Sequence, residues 1–166
     1  MKVTGIRAAA GLAIILSVAA GQAWALEPKY DFGKIPYGQK VAHEPSWALK
    51  STCGGHPDTV EDCDFFDGDG IRYVVSQGEV MRKHLDLAAF SGRLPYALTR
   101  ADTAPVAVRK LKAALHLVFS KTADKDGRSI YTSNAFDTKD YDGLVIVLTF
   151  DRAGKLAAIE ITSDYT

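Results

Sequence analysis

Asp62, Asp64, Asp67 and Asp69 crowd one short stretch of this chain, and Asp137, Asp140 and Asp142 crowd another. Carboxylates at that density could hold calcium or serve as an acid–base pair in glycoside hydrolysis. A calcium loop needs D-x-D-x-D-G and a closing glutamate. Phe65, Thr122 and Thr138 occupy the leading position of the three candidate loops, and the glutamate is missing each time. Asp-Gly pairs between apolar runs are also hairpin material. The clusters are therefore read as turns, and no metal ligand and no cofactor is assigned.

Nucleophilic chemistry finds no better footing. G-x-S-x-G is absent, and His43, His56, His84 and His116 form neither H-E-x-x-H nor H-x-H. His116 falls within a helical run, where packing or solvation is its ordinary role. Cys53 and Cys63 close the loop STCGGHPDTVEDCD, rich in Gly, Pro and Asp. Their spacing is wider than the C-x-x-C of redox pairs, and two thiolates are too few for structural zinc. In an exported chain they are expected to form a disulfide contributing roughly 2–3 kcal/mol. His56, inside that loop, is then exposed and able to titrate near neutral pH. No catalytic residue is assigned.

Export is itself an expectation from the N-terminus. Met1–Ala25 has a basic start at Lys2 and Arg7, an apolar middle from Ala8 to Ala20, and the small-residue finish Ala23-Trp24-Ala25. That is the layout of a secretory signal peptide, shorter than a membrane span. The mature chain, 26–166, is expected to be one domain with no later span, in the periplasm or secreted. Taking Lys2 and Arg7 from 20 basic residues leaves 18 against 20 acidic, a net charge of −2. A near-neutral surface gives no electrostatic reason to expect nucleic acid.

The phrases Gly33-Lys-Ile-Pro-Tyr-Gly38 and Gly92-Arg-Leu-Pro-Tyr-Ala97 lie 59 residues apart. Two further landmarks keep that order. Pro45 is echoed by Pro105, and Asp67-Gly-Asp-Gly70 with Tyr73 by Asp124-Lys-Asp-Gly127 with Tyr131. This pattern reads as a tandem duplication, with units at about Gly33–Leu87 and Gly92–Thr162.

Each unit opens with a proline-initiated helix. The first is short, Pro45–Ser51. The second is capped by Asp102 or Thr103 and carries an apolar face of Val108, Leu111, Leu115 and Val118. Strands follow: Asp62–Asp67, Ile71–Ser76 and Val80–Leu87, then Arg128–Ser133, Leu144–Phe150 and Lys155–Thr162. Gln77-Gly78 and Asp151-Arg-Ala-Gly154 supply turns. In the last strand Leu156, Ala158, Glu160 and Thr162 alternate with Ala157, Ile159 and Ile161, the period of a sheet wet on one side. Leu144–Leu148 is continuously apolar and reads as a central strand. The expected fold is α+β, an antiparallel sheet with helices on one face.

Two helix-then-meander units, the paired G-[KR]-[IL]-P-Y phrases and the Phe150-Asp-Arg-Ala-Gly-Lys-Leu156 hairpin resemble the beta-lactamase-inhibitor-protein-like superfamily. The resemblance spans most of Gly33–Thr162 and implies a concave sheet that binds another protein. It carries over no inhibitory residue. The lipid-bearing cysteine of the superfamily's lipoproteins is absent here.

The aromatics fit a binding role, since tyrosine and tryptophan dominate protein interfaces. Tyr37 and Tyr96, at matched positions, are expected to pin each opening turn to the core. The long polar loop Ala135–Gly143, with Phe136, Asp140, Tyr141 and Asp142, is the expected contact surface, together with His56. The function expected is that of an exported protein-binding module whose partner is another envelope or extracellular protein, such as a hydrolase it inhibits. A metal-assisted hydrolase built on the acidic hairpins and a structural envelope module are the alternatives.

Overall fold

The computed structural model describes residues 29–41, 62–66, 69–124, 126–138 and 141–163, with Asp62, Cys63 and Phe65 by their backbone alone. The expected signal segment, the Pro45–Ser51 helix, Cys53, His56, Asp67 and Asp140 lie outside these residues.

Seven strands form one sheet: β1 (Asp62–Phe66), β2 (Ile71–Ser76), β3 (Glu79–Asp86), β4 (Phe119–Ala123), β5 (Ser129–Ser133), β6 (Leu144–Phe150) and β7 (Leu156–Ser163). Helix α1 spans Ala104–Leu115, preceded by a 3-10 turn at Pro95–Ala97. The spatial order is β1-β2-β3-β7-β6-β5-β4, and every pairing is antiparallel. Two meanders, one of three strands and one of four, are thus joined through their last strands, β3 and β7. This is a mostly β, α+β architecture.

Local chemistry sets the turns. Gln77 and Gly78 both take positive φ, at 52° and 78°, the pair of values that a two-residue hairpin matched to strand twist requires. At the β6–β7 turn, Asp151 Oδ1 accepts the Lys155 N–H at 2.8 Å. In the β4–β5 turn Asp124 Oδ1 accepts the N–H groups of Asp126 and Arg128, and Arg128 Nε donates to Oδ2 at 2.5 Å. Burial pushes the Asp124 pKa up, but these donors and the Arg128 charge together outweigh it and hold the carboxyl below its usual range.

Inner-face residues bury against α1. Ala107, Leu111 and Leu115 share one core with Tyr73, Leu85, Leu144, Ile146, Leu148, Phe150, Ile159 and Ile161. A fully buried leucine or isoleucine contributes about 1.5–3 kcal/mol, so this face supplies most of the drive to fold.

The structure corrects the helix in three places. It stops at Leu115, because His116 turns left-handed (φ 59°) as its C-cap and donates its N–H to Lys112 O. His116 is therefore outside the helix. Val118 is 62 % exposed rather than on its apolar face, and strand β4 begins one residue later. At the other end Thr103 is the N-cap residue without a side-chain cap bond.

Asp102 does not cap the helix either. Its Oδ2 accepts the Thr99 N–H at 2.9 Å and the Lys110 ammonium at 2.7 Å, tying the preceding turn to α1. Burial pushes its pKa up, but Lys110 and Thr99 overcome this and hold it below the usual value. A depressed folded pKa gives stability that is present above the unfolded value of about 3.9 and is lost as pH falls through the folded one. Asp102→Asn is expected to be less stable than wild type near pH 6 and level with it near pH 2. Urea midpoints at the two pH values measure this, and a gap that stays constant with pH would refute it.

Bulges decide which residues face out. Thr149 pairs with Ala158 but Phe150 pairs with Leu156, so Ala157 is an extra residue on β7. Leu156 therefore returns to the core with Ile159 and Ile161, correcting the simple alternation expected. Val74 pairs with Arg82 but Val75 with Val80, leaving Met81 extra and sending Val80 inward with Lys83 and Leu85.

Candidate functional site

Residues paired directly across a sheet share a face. The outer face can therefore be read strand by strand. Phe66 faces Arg72, Arg72 faces His84, His84 faces Glu160, Glu160 faces Val147, Val147 faces Thr132, and Thr132 faces Ser120. A second row runs Asp64, Val74, Arg82, Thr162 and Val145. Helix α1, both G-[KR]-[IL]-P-Y turns and the Phe136–Tyr141 loop all contribute to the core on the opposite side.

The centre of this face is charged. Glu160 reaches two neighbours on β3: Oε2 lies 3.0 Å from His84 Nδ1, and Oε1 lies 3.6 Å from Arg82 Nε. Arg82 Nε also donates to Thr162 Oγ1 at 3.3 Å. Toward the β1 edge, Arg72 Nε donates to Asp64 Oδ2 at 2.9 Å, and its NH2 group donates to the same oxygen. The side chains of Arg72 and Arg82 are 42 % and 49 % exposed. Ion pairs this open contribute about 0–1 kcal/mol, so a partner can replace them at little cost. Phe66, 40 % exposed, adds an aromatic at the β1 end. Arginine and aromatic side chains beside short apolar ones are the composition of protein interfaces. A nucleophile with a base in reach is not part of this arrangement.

The loop expected to make contacts is placed on the core side. Phe136 stacks on Tyr30, with ring centroids 4.7 Å apart at 28°, and its backbone bridges to Leu144. The Tyr141 ring meets Tyr37 edge-on at 5.2 Å and 84°. Both loop aromatics are half-buried against the core, which corrects the expectation that Tyr141 is an exposed contact. Thr138 N–H donates to Tyr141 O and Thr138 Oγ1 accepts the Tyr141 N–H, folding the loop on itself. Asp137 Oδ1 accepts the Gly143 N–H. Asp142 is exposed. Asp140, His56 and Cys53 lie outside the described residues, and Cys63 is placed only by its backbone, opposite Val75.

The anchoring role expected of the matched tyrosines fits their positions. Tyr37 is fully buried. The Tyr96 hydroxyl donates to Tyr30 O at 2.6 Å, and burial, with the nearby Asp31 charge, raises its pKa far above the ordinary value.

Three of the described carboxylates in the Asp-rich segments form ion pairs within the chain. Asp64 pairs with Arg72, Asp69 with Lys34, and Asp124 with Arg128. Among the described residues no three His, Cys, Asp or Glu side chains gather as a metal site. No helix among them is long and apolar enough to cross a membrane.

Sequence reasoning missed the charged rows of the outer face. Part of their signal was present: Glu160 and Thr162 alternate with Ile159 and Ile161, whereas Arg82-Lys83-His84 shows no such alternation. Comparison with protein-family models, with curated proteins and with solved structures finds no match to this chain.

Proposed function

We propose that this chain is an exported protein-binding module whose docking surface is the outer face of its sheet. The observation carrying this reading is one-sidedness. The helix, the opening turns and the long loop pack on one face of seven strands, while the other presents Arg72, Arg82, His84 and Glu160 to solvent. The partner is an envelope or extracellular protein with a surface of mixed charge, met in the periplasm or outside the cell. The inhibitor form of the reading, in which the partner is a hydrolase occluded by this face, follows from the resemblance to the beta-lactamase-inhibitor-protein-like superfamily.

Two arrangements support the proposed duplication behind that resemblance. In the sequence the Asp-Gly segments 67–70 and 124–127 fall between the first two strands of their respective meanders, β1–β2 and β4–β5. The last strands of the two meanders then pair with each other.

The test is capture of a stoichiometric partner from the native envelope fraction and culture supernatant, with and without chelator. Arg72→Glu and Arg82→Glu are compared with wild type. Both side chains are about half exposed, so the variants are expected to fold. Each is expected to weaken partner binding at least tenfold, about 1.4 kcal/mol. A partner held equally by both variants would remove the outer face from consideration. A partner lost with chelator would favour a metal-dependent role.

A further inference from the structure

Strand β4 ends the sheet, with β5 on one side and no strand on the other. Hydrogen bonds at its two ends fix which backbone groups are used. Asn134 N–H donates to Val118 O at 2.7 Å, and Asp124 N–H donates to Arg128 O at 3.1 Å. Bonding alternates along an antiparallel ladder, so Ser120 and Thr122, opposite Thr132 and Ile130, also turn their N–H and C=O groups toward β5. Phe119, Lys121 and Ala123 turn theirs outward, where they meet no partner among the described residues. Ser120, Lys121, Thr122 and Ala123 are exposed, and the β4–β5 register is unbroken. The edge is therefore open and regular.

Sheets guard such edges with proline, bulges or lysine. Strand β4 has neither proline nor bulge, and its one charge is Lys121. The ammonium lies 5.8 Å from the centroid of the Tyr131 ring, the residue opposite it on β5, and makes no ion pair among the described residues. That charge decides between occupants. A second copy pairing symmetrically through all three outward residues would set Phe119 opposite Ala123 and Lys121 opposite its own duplicate. Like charges directly opposite are destabilising, whereas a carboxylate in that place gains a cross-strand pair. Two residues away on the same side, half-buried Phe119 packs against the core and suits an apolar neighbour.

From this open edge and its charge we infer that β4 accepts an extended segment of a partner protein as an added antiparallel strand. An acidic residue of the segment sits opposite Lys121, and an apolar one, two positions later, sits opposite Phe119. Main-chain bonds to the three outward residues supply affinity, and the two side-chain positions supply selectivity. Strands β7, β6 and β5 separate this edge from Arg82 and His84 on β3, so the edge and the proposed docking surface stand or fall separately.

The probe is the capped peptide Ser-Val-Thr-Thr-Glu-Thr-Leu-Val-Ser, whose Glu pairs with Lys121 when its Leu pairs with Phe119. One control carries Lys in place of Glu. Another carries an N-methyl group on the Glu amide, which in this register donates to the Lys121 carbonyl. Titration of the full mature protein is followed by backbone amide signals in NMR spectra. The peptide is expected to give saturable shifts at Phe119, Lys121 and Ala123, with a Kd of about 1 mM or tighter. The Lys peptide is expected to bind about fivefold more weakly, in line with one cross-strand charge pair. The N-methyl peptide is expected to bind about tenfold more weakly, in line with one lost hydrogen bond. Lys121→Glu, at an exposed position, is expected to reverse the order of the Glu and Lys peptides, and Arg72→Glu and Arg82→Glu to leave both unchanged. The proposal is overturned by any of four results: no saturable shift up to about 10 mM peptide; the N-methyl peptide binding as well as its parent; a preference for Glu that survives Lys121→Glu; or self-association through β4 in place of peptide binding.

Discussion

Asp31→Ala is expected to destabilise the protein by about 3–5 kcal/mol, the cost of breaking a buried ion pair from one side. Lys83 projects from β3 into the core and is completely buried. Its ammonium lies 2.6 Å from Asp31 Oδ1 and 2.6 Å from the Ile35 carbonyl, with the rings of Phe32 and Tyr73 at 5.3 and 5.6 Å. Asp31 in turn accepts the N–H groups of Phe32 and Tyr37. One carboxylate thus neutralises the buried cation and shapes the first opening turn.

Removing the carboxylate takes from a fully buried ammonium the countercharge that lies 2.6 Å away. Removing both charges is expected to be milder. Asp31→Ala with Lys83→Met should recover at least half of the loss seen in Asp31→Ala alone, because no charge is then stranded. The loss in Asp31→Ala should also narrow at high pH, where the amine can neutralise. Urea unfolding of the two single variants and the double measures this. Single-variant losses that simply add would show that the pair is not coupled through burial.

This pair marks a boundary of what the sequence can show. Asp31 and Lys83 are 52 residues apart, and nothing local distinguishes Lys83 from the solvent-facing Arg82 beside it. Only the bulge at Met81 and the pairing of Tyr73 with Lys83 place it inward. Where local pattern and tertiary packing agree, reading was direct. Ile71–Ser76 and Leu144–Phe150 have the strand bounds expected, and the Gln77-Gly78 and Asp151–Gly154 turns are where glycine and aspartate put them.

Where two local signals compete, the pattern misled. Val118 continues the helical spacing of Leu111 and Leu115, yet the chain has already turned at His116. The edge strand that follows, Phe119-Ser-Lys-Thr-Ala123, is mostly exposed and so shows no alternation to read. The outer face was half legible. The wet residues of β7 were expected, but β3 had to be set beside it for Arg82, His84 and Glu160 to become one cluster.

Gly38→Ala is expected to cost about 2–5 kcal/mol, combining a left-handed backbone with overpacking. Gly38 has φ of 75°, and a Cβ there would lie 1.5 Å from the Tyr141 hydroxyl oxygen and 2.0 Å from Cζ. Its N–H donates to Val80 O at 2.7 Å, so the turn cannot back away without losing a bond to β3. The Tyr141 ring therefore has to leave its seat against Tyr37. Tyr141→Ala removes that obstacle and also gives up the edge-to-face contact, worth roughly 0.5–1.5 kcal/mol beyond the area it buries. In the Tyr141→Ala background, Gly38→Ala should retain only the backbone cost, about 1–2 kcal/mol. A coupling of about 1–3 kcal/mol between the two sites is the expected reading of the cycle. The same cycle decides what the loop aromatic is for. A residue that seats the first opening turn moves stability with Gly38, whereas one that reaches a partner moves binding and leaves the unfolding midpoint in place. Full additivity of the two substitutions would return Tyr141 to the role of an exposed anchor.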